Sequence, residues 1–223
     1  MAIDVKAIIA DAVLTLCRKK ALNKITIADI QEVSGISRQT FYNHFRDKYD
    51  LIQYIYEHRV IAFFDDPASQ QLDYYEATLT CLRCDAEYKT FMQQACRMSG
   101  PNCLADFMYN HSIHFDRTLH QSILGRPLTA EEQLISDYHS AAVVRLRIDW
   151  ILNGLPCSPE DIMRAILQAR LFSLNELLYP GGEGDGPYAK AAQRDPEIYA
   201  QWCHKEKRRG MPAHNGKSGS DSV

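Results

Sequence analysis

Residues 26–51 read TIADIQEVSGISRQTFYNHFRDKYDL. Thr26 and Asp29 have the spacing of a capping box, and the helix they open closes at Gly35, a residue that enters the left-handed conformation without a Cβ penalty. Ser37 caps a further helix through about Phe45, and Asp47 with Asp50 repeats the capping-box spacing to start another, running to about Phe64. A short helix, a glycine-containing turn and a second short helix make a helix-turn-helix, whose second helix can lie in a DNA major groove. Phe41 and Phe45, at i and i+4, are expected to turn inward onto Ile30 and Val33. Arg38, Gln39, Thr40, Tyr42 and Asn43 then face outward. Arg and Gln suit guanine and adenine edges, while Tyr42, His44 and Lys48 suit phosphate oxygens.

Outward from this segment the chain keeps a helical grammar. Upstream, Val5, Ile8, Ile9, Ala12, Val13 and Leu16 recur on one helical face, closed by Arg18, Lys19 and Lys20 where cations suit the helix dipole. Downstream, Asp73 with Glu76, Thr129 with Glu132 and Ser158 with Asp161 repeat the start signal, and Gly100-Pro101 and Gly125-Arg126-Pro127 punctuate the run. The predicted helices fall near 73–86, 87–98, 102–123, 130–153 and 159–178. No alternating strand pattern and no internal repeat occurs. The expectation is an all-α chain of about nine helices: a helix-turn-helix module over 1–50, a helical effector-binding and dimerisation domain over 51–179 with the fourth helix as connector, and a flexible tail over 180–223. Seven of the eleven glycines follow Tyr179, and a short helix around 188–207 is the one element expected in that tail.

Composition bounds the function. The 223 residues, 46% hydrophobic and 24% charged, suit a globular chain with a sizeable core. The longest uncharged stretch, residues 150–159, is ten residues, against the roughly 18 needed to cross a bilayer. No secretory h-region follows Asp4 and Lys6, so a cytoplasmic protein is expected, with no membrane partner. Seven scattered cysteines fit reduced thiols rather than a disulfide framework. The net charge of -3 is unevenly spread: +1 over 1–58, -5 over 59–178 and +1 over 179–223. The acidity therefore lies outside the helix-turn-helix segment.

Thr40, Phe41, Tyr42, His44, Phe45, Lys48 and Leu51 stand where the TetR family of one-component regulators carries a motif close to TFYxHFxxKxxL, and the chain resembles that family over residues 5–60. The resemblance implies an all-helical homodimer on a palindrome-like double-stranded DNA operator. It places Gln39, Thr40, Tyr42, Asn43 and His44 on the operator-contacting helix, and Thr26 and Lys48 on phosphate contacts. RIDWILNGLPCSP (147–159) is similar to the penultimate helix and turn of many members, whose last two helices form a four-helix dimer interface. The stripes Ala141, Val144, Ile148 and Ile151, and Ile166, Leu171, Leu174 and Leu178, have the small and apolar character that such packing requires. RQTFYNHFRDKYDL and FMQQACRMSGPNCL also resemble the subgroup near the dihydroxyacetone-operon regulators. Most relatives are repressors, so repression is the expected sign. The tail after Pro180 is a departure that the resemblance does not explain.

The middle helices carry an aromatic and sulfur-rich set, among them Tyr74, Phe91, Met98, Phe107, Met108, His111, Phe115 and Tyr138, which is the candidate lining of a small-molecule effector pocket. The same spacing also suits ordinary core. Cys81 with Cys84 and His111 with His114 raise a metal sensor, but helical i, i+3 pairs supply no knuckle turn, and neither metal nor cofactor is expected. GGEGDG (181–186) follows no strand and lacks the Lys-Ser/Thr ending of a phosphate loop. No GxSxG, HExxH or dinucleotide fingerprint occurs, so no catalysis is expected. Two readings stay open: a ligand-responsive DNA-binding regulator, and a coactivator that keeps this fold but works through a protein partner.

Overall fold

A computed structural model of the chain describes residues 4–62, 74–171, 174 and 187–208. Among these, every regular element is helical: α1 Val5–Cys17, α2 Ile27–Ser34, α3 Arg38–His44, α4 Lys48–Ile55, α5 Tyr74–Glu87, α6 Lys89–Cys96, α7 Leu104–Leu124, α8 Ala130–Leu152, α9 Pro159–Leu171, α10 Pro187–Ala192 and α11 Pro196–Arg208. The all-α class stands, and the two helices beyond the expected nine lie in the tail.

The start signals work as their chemistry requires. Thr26 and Asp29 close a reciprocal capping box on α2, as Thr129 and Glu132 do on α8. Ser37 accepts from the Thr40 amide at 3.0 Å and so caps α3. Asp47 accepts from the Asp50 amide at 2.9 Å, but the Asp50 carboxylate turns back to the Arg46 amide and guanidinium instead of completing a box. Asp73 lies outside the described residues. The α4 axis continues beyond Ile55 as a π turn over Tyr56–Val60, where the expected plain α-helix to Phe64 gives way. Such turns are rare and cluster at functional sites.

In the head, Ile9, Val13, Ile30, Phe41, Phe45 and Leu51 form one buried core, with the two phenyl rings 5.7 Å apart. Burying each ring stabilises the head by about 1.5–3 kcal/mol. Val33 does not join them. It is 47% exposed, because the eight-residue α2 points Ile30 inward and carries Val33 past the contact.

The body is built on α7 and α8, joined by the Gly125 turn and by the Arg117–Asp137 ion pair at 2.5 Å, with α5 packed on α9 and α6 reaching back to α1. The stripe expected to form a dimer face is part of this core: Val144, Ile148, Ile151, Ile166, Leu171 and Leu174 are buried and Ala141 is half-buried within the single chain. Leu178 lies outside the described residues. The outward flank of α8 instead carries Leu134, Tyr138, Ala142 and Leu146, with Leu134 and Tyr138 each 71% exposed.

The tail also departs from expectation. Helices α10 and α11 pack on α9 and α5, burying Tyr188, Ala189, Ala191, Ala192 and Ile198 completely. Arg164 of α9 pairs with Asp195 at 2.8 Å, between the two helices. The expected linker 181–186 and the end 210–223 lie outside the described residues. No helix among the described residues is long and apolar enough to cross a membrane.

Candidate functional site

Helix α3 presents one polar edge. Arg38, Gln39, Tyr42 and Asn43 are exposed and Thr40 and His44 half-exposed, while Phe41 and Phe45 are buried beneath them. The edge is partly ordered in advance: the Arg38 guanidinium lies 5.6 Å from the Tyr42 ring centroid, and Gln39 Nε2 donates to Asn43 Oδ1 at 3.3 Å. Ser37 Oγ and Thr40 Oγ1 are 2.8 Å apart, so the Thr40 hydroxyl is engaged with the cap.

The two residues expected at phosphates are used inside the head. Thr26 Oγ1 donates to Asp29 Oδ2 at 2.8 Å while accepting from the Asp29 amide. Lys48 Nζ donates to the carbonyls of Leu22 and Asn23 at 3.2 and 3.3 Å, closing the 3₁₀ turn Leu22–Lys24. Partial burial lowers the Lys48 pKa. An ammonium has three donors, so one N–H of Lys48 is left after these two contacts.

Four further side chains tie the head and its connector α4 to the body, and spacing along the sequence carries no sign of them. Gln94 of α6 accepts from the Leu22 amide at 2.5 Å and donates to the Cys17 carbonyl at 2.9 Å. Tyr49 and Gln53, both on α4, donate to the Ser99 and Asn102 carbonyls at the corner between α6 and α7. Arg59 in the π turn pairs with Asp11 of α1 at 2.8 Å.

The body contains a narrow cleft of about 60 Å³. Of the candidate effector residues, Tyr74, Met108, His111 and Phe115 line it together with Tyr56, Thr78, Ser112 and Arg170. The others are placed elsewhere. Phe91 is buried where α6 meets α1, Met98 lines a groove between head and body, Phe107 packs edge-on to Tyr56, and Tyr138 stands on the outer flank of α8. Helical spacing shows that a residue is on an apolar face but not which neighbour that face meets, and α7 and α8 are apolar on more than one side.

The polar end of the cleft is a buried network. Arg170 donates through both terminal nitrogens to Asp116, at 2.9 and 2.5 Å, and Ser140 donates to the same carboxylate. Burial pushes the Asp116 pKa up, but the charge and hydrogen bonds of Arg170 outweigh it and hold the carboxyl below its ordinary value. His120 lies 2.9 Å from Ser136 Oγ and 2.7 Å from the Tyr188 hydroxyl, and burial pushes its imidazole down to about 4. A second buried pair, Arg147 with Asp85, lies against the Tyr56 ring. Cys81 and Cys84 both lie on α5, where burial pushes the Cys81 thiol up to about 12. No group of three or more His, Cys, Asp or Glu side chains converges among the described residues.

Two family profiles match the chain: "Bacterial regulatory proteins, tetR family" over residues 9–55, and "Transcriptional regulator C-terminal region" over residues 73–169. The chain is 26% identical over 157 residues to the HTH-type dhaKLM operon transcriptional activator DhaS of Lactococcus lactis subsp. lactis (strain IL1403), spanning 66% of this chain and 79% of the relative. A solved structure titled dihydroxyacetone kinase operon activator DhaS superposes with a TM-score of 0.62 at 23% identity, covering 78% of this chain and 98% of that one. The head carries one profile and the body the other, each over the helices described above, and the chain is a transcriptional regulator of the TetR family.

Proposed function

We propose that this regulator reads a palindrome-like operator as a homodimer, through the outward edge of α3, and that a small molecule bound in the body cleft alters that reading. The observation that carries the proposal is the geometry of α3. Arg38, Gln39, Tyr42 and Asn43 are free to meet base edges and phosphates because Phe41 and Phe45 anchor the opposite face. One seven-residue helix reads few base pairs, so two half-sites about a helical turn or a multiple of it apart are needed. The outward flank of α8, with Leu134, Tyr138, Ala142 and Leu146, supports dimerisation better than the buried stripe does. The reading head ends near residue 50, and α10 and α11, which pack on α9 and α5, belong with the body rather than with a separate tail.

The activator title of the relative supports activation in this chain too, in place of the repression that family habit suggests. An effector shifts DNA affinity only by its differential binding to two head arrangements, and α4 with its π turn is the element that touches both head and cleft.

Titration of a labelled fragment from upstream of the chain's own gene, at several salt concentrations, tests the reading. Log K is expected to fall with log[salt] at a slope of about -0.9 per phosphate neutralised. Arg38→Ala and Tyr42→Ala are expected to abolish specific retention, and retention that survives both overturns the assignment of α3. A reporter fused to the same region is expected to lose expression when the gene is deleted. With Ser112→Phe, which fills the cleft, its response to growth conditions should disappear.

A further inference from the structure

The profile of the C-terminal region ends at residue 169, yet Tyr188 enters the body core from beyond it. Its hydroxyl sits 2.7 Å from His120 Nε2 and accepts from Arg170 at 3.2 Å. Its ring stands edge-on to Tyr74, centroids 5.0 Å apart, and the Arg170 guanidinium lies 5.0 Å from the Tyr74 centroid and 5.8 Å from that of Tyr188. Arg170 is therefore held from two sides, by Asp116 of α7 and by Tyr188 of α10. Both Arg170 and Tyr74 line the cleft.

We propose that residues 187–208 form a strap that backs the effector cleft from behind its lining, with Tyr188 the positioning residue that fixes Arg170, so that strap docking and cleft occupancy are coupled. The inference rests on reading the cleft as the effector site. Arg170 uses both terminal nitrogens on Asp116 and Tyr188, and its buried Nε has no acceptor among the described residues. An acceptor oxygen of a ligand that reaches this N–H would recover the free energy that an unmet buried donor costs. Each arginine on the cleft already has its own carboxylate, Asp116 for Arg170 and Asp85 for Arg147, so the charge balance suits an uncharged ligand. Coupling is reciprocal: a strap that orders Arg170 raises affinity in the cleft, and a ligand that engages Arg170 holds the strap down. An element added outside the matched family regions thereby makes the effector response of this chain depend on its own tail.

Hydrogen exchange of the full-length protein tests the coupling. Tyr188→Phe keeps the ring and removes the hydroxyl. Amides of 187–208 are expected to exchange about tenfold faster or more, and those of 74–82 and 166–171 to accelerate with them. Arg164→Ala loosens the strap from outside by removing the Asp195 pair, and Arg164 is not among the cleft-lining residues. It is expected to give the same joint signature at smaller amplitude, and it keeps the test decisive if Tyr188→Phe fails to fold. Acceleration confined to 187–208, or none, overturns the strap. A joint signature alongside a reporter response that survives Ser112→Phe overturns the effector reading and leaves strap docking standing as a structural coupling only.

Discussion

The Tyr49 hydroxyl donates a 2.9 Å hydrogen bond to the Ser99 carbonyl, joining α4 to the corner between α6 and α7 across fifty residues of sequence. Gly100 makes this approach feasible. Its φ is +130°, and a Cβ there would meet the Tyr49 oxygen at 3.0 Å. Tyr49→Phe is expected to cost about 1 kcal/mol of stability in urea denaturation. Operator affinity should stay within twofold of wild type, while the effector response of the reporter weakens, because one of the links from body to connector is lost. A variant with unchanged response would remove Tyr49 from the transmission route.

The two faces of α3 should respond oppositely to truncation. Phe41→Ala is expected to destabilise the head by about 3–5 kcal/mol, read as a lowered denaturation midpoint. Tyr42→Ala, on the exposed side, is expected to shift stability by less than about 0.5 kcal/mol while operator retention is lost. Finding both effects in one variant would blur the division of faces on which the DNA reading depends.

Stability should fall in mild acid, and His120 gives the sign. Burial favours its neutral form in the fold, lowering the pKa from 6.5 to about 4. The unfolded chain therefore takes up the proton first. The contribution is complete above pH 6.5 and is lost as pH falls towards 4, by up to about 3 kcal/mol. Burial moves His139 in the same direction. Denaturation midpoints measured between pH 7 and 4 are expected to follow this slope, and His120→Gln should flatten it. A profile equally steep in that variant would place the acid sensitivity elsewhere.

Gly35 ends α2 at φ +70° with open space where a Cβ would go. Gly35→Ala is thus expected to lose only backbone strain, about 1 kcal/mol, and Gly35→Asn less, since asparagine tolerates the left-handed region. Thermal melts of the two variants check the order. A larger loss in the alanine variant would mean that the turn is held by more than its dihedral angle.

Local chemistry makes the head legible in the sequence. Thr26, Gly35 and Ser37 act on neighbours within a few residues, and Phe41 and Phe45 have a single core to face. Residues with two options are where the sequence does not choose. Lys48 has the reach to meet a phosphate or a carbonyl, and two carbonyls at the 3₁₀ turn claim it. On α8, Val144 and Ile148 form one apolar side and Leu134 and Tyr138 another, and periodicity does not rank them. The tail hides its role for a different reason. Glycine-rich composition before Pro187 masks a docking segment whose partners, His120 and Arg170, lie 68 and 18 residues away.

Gln94 on α6, Tyr49 on α4 and Arg59 in the π turn each tie head to body, which leaves little freedom for the head to swivel on its own. In a symmetric dimer, two such heads would behave as the jaws of a calliper whose gauge changes only when the body changes. Inserting one base pair at the centre of the binding sequence should therefore be tolerated far less well than a mismatch within either arm, since no loose hinge is there to absorb the added rotation.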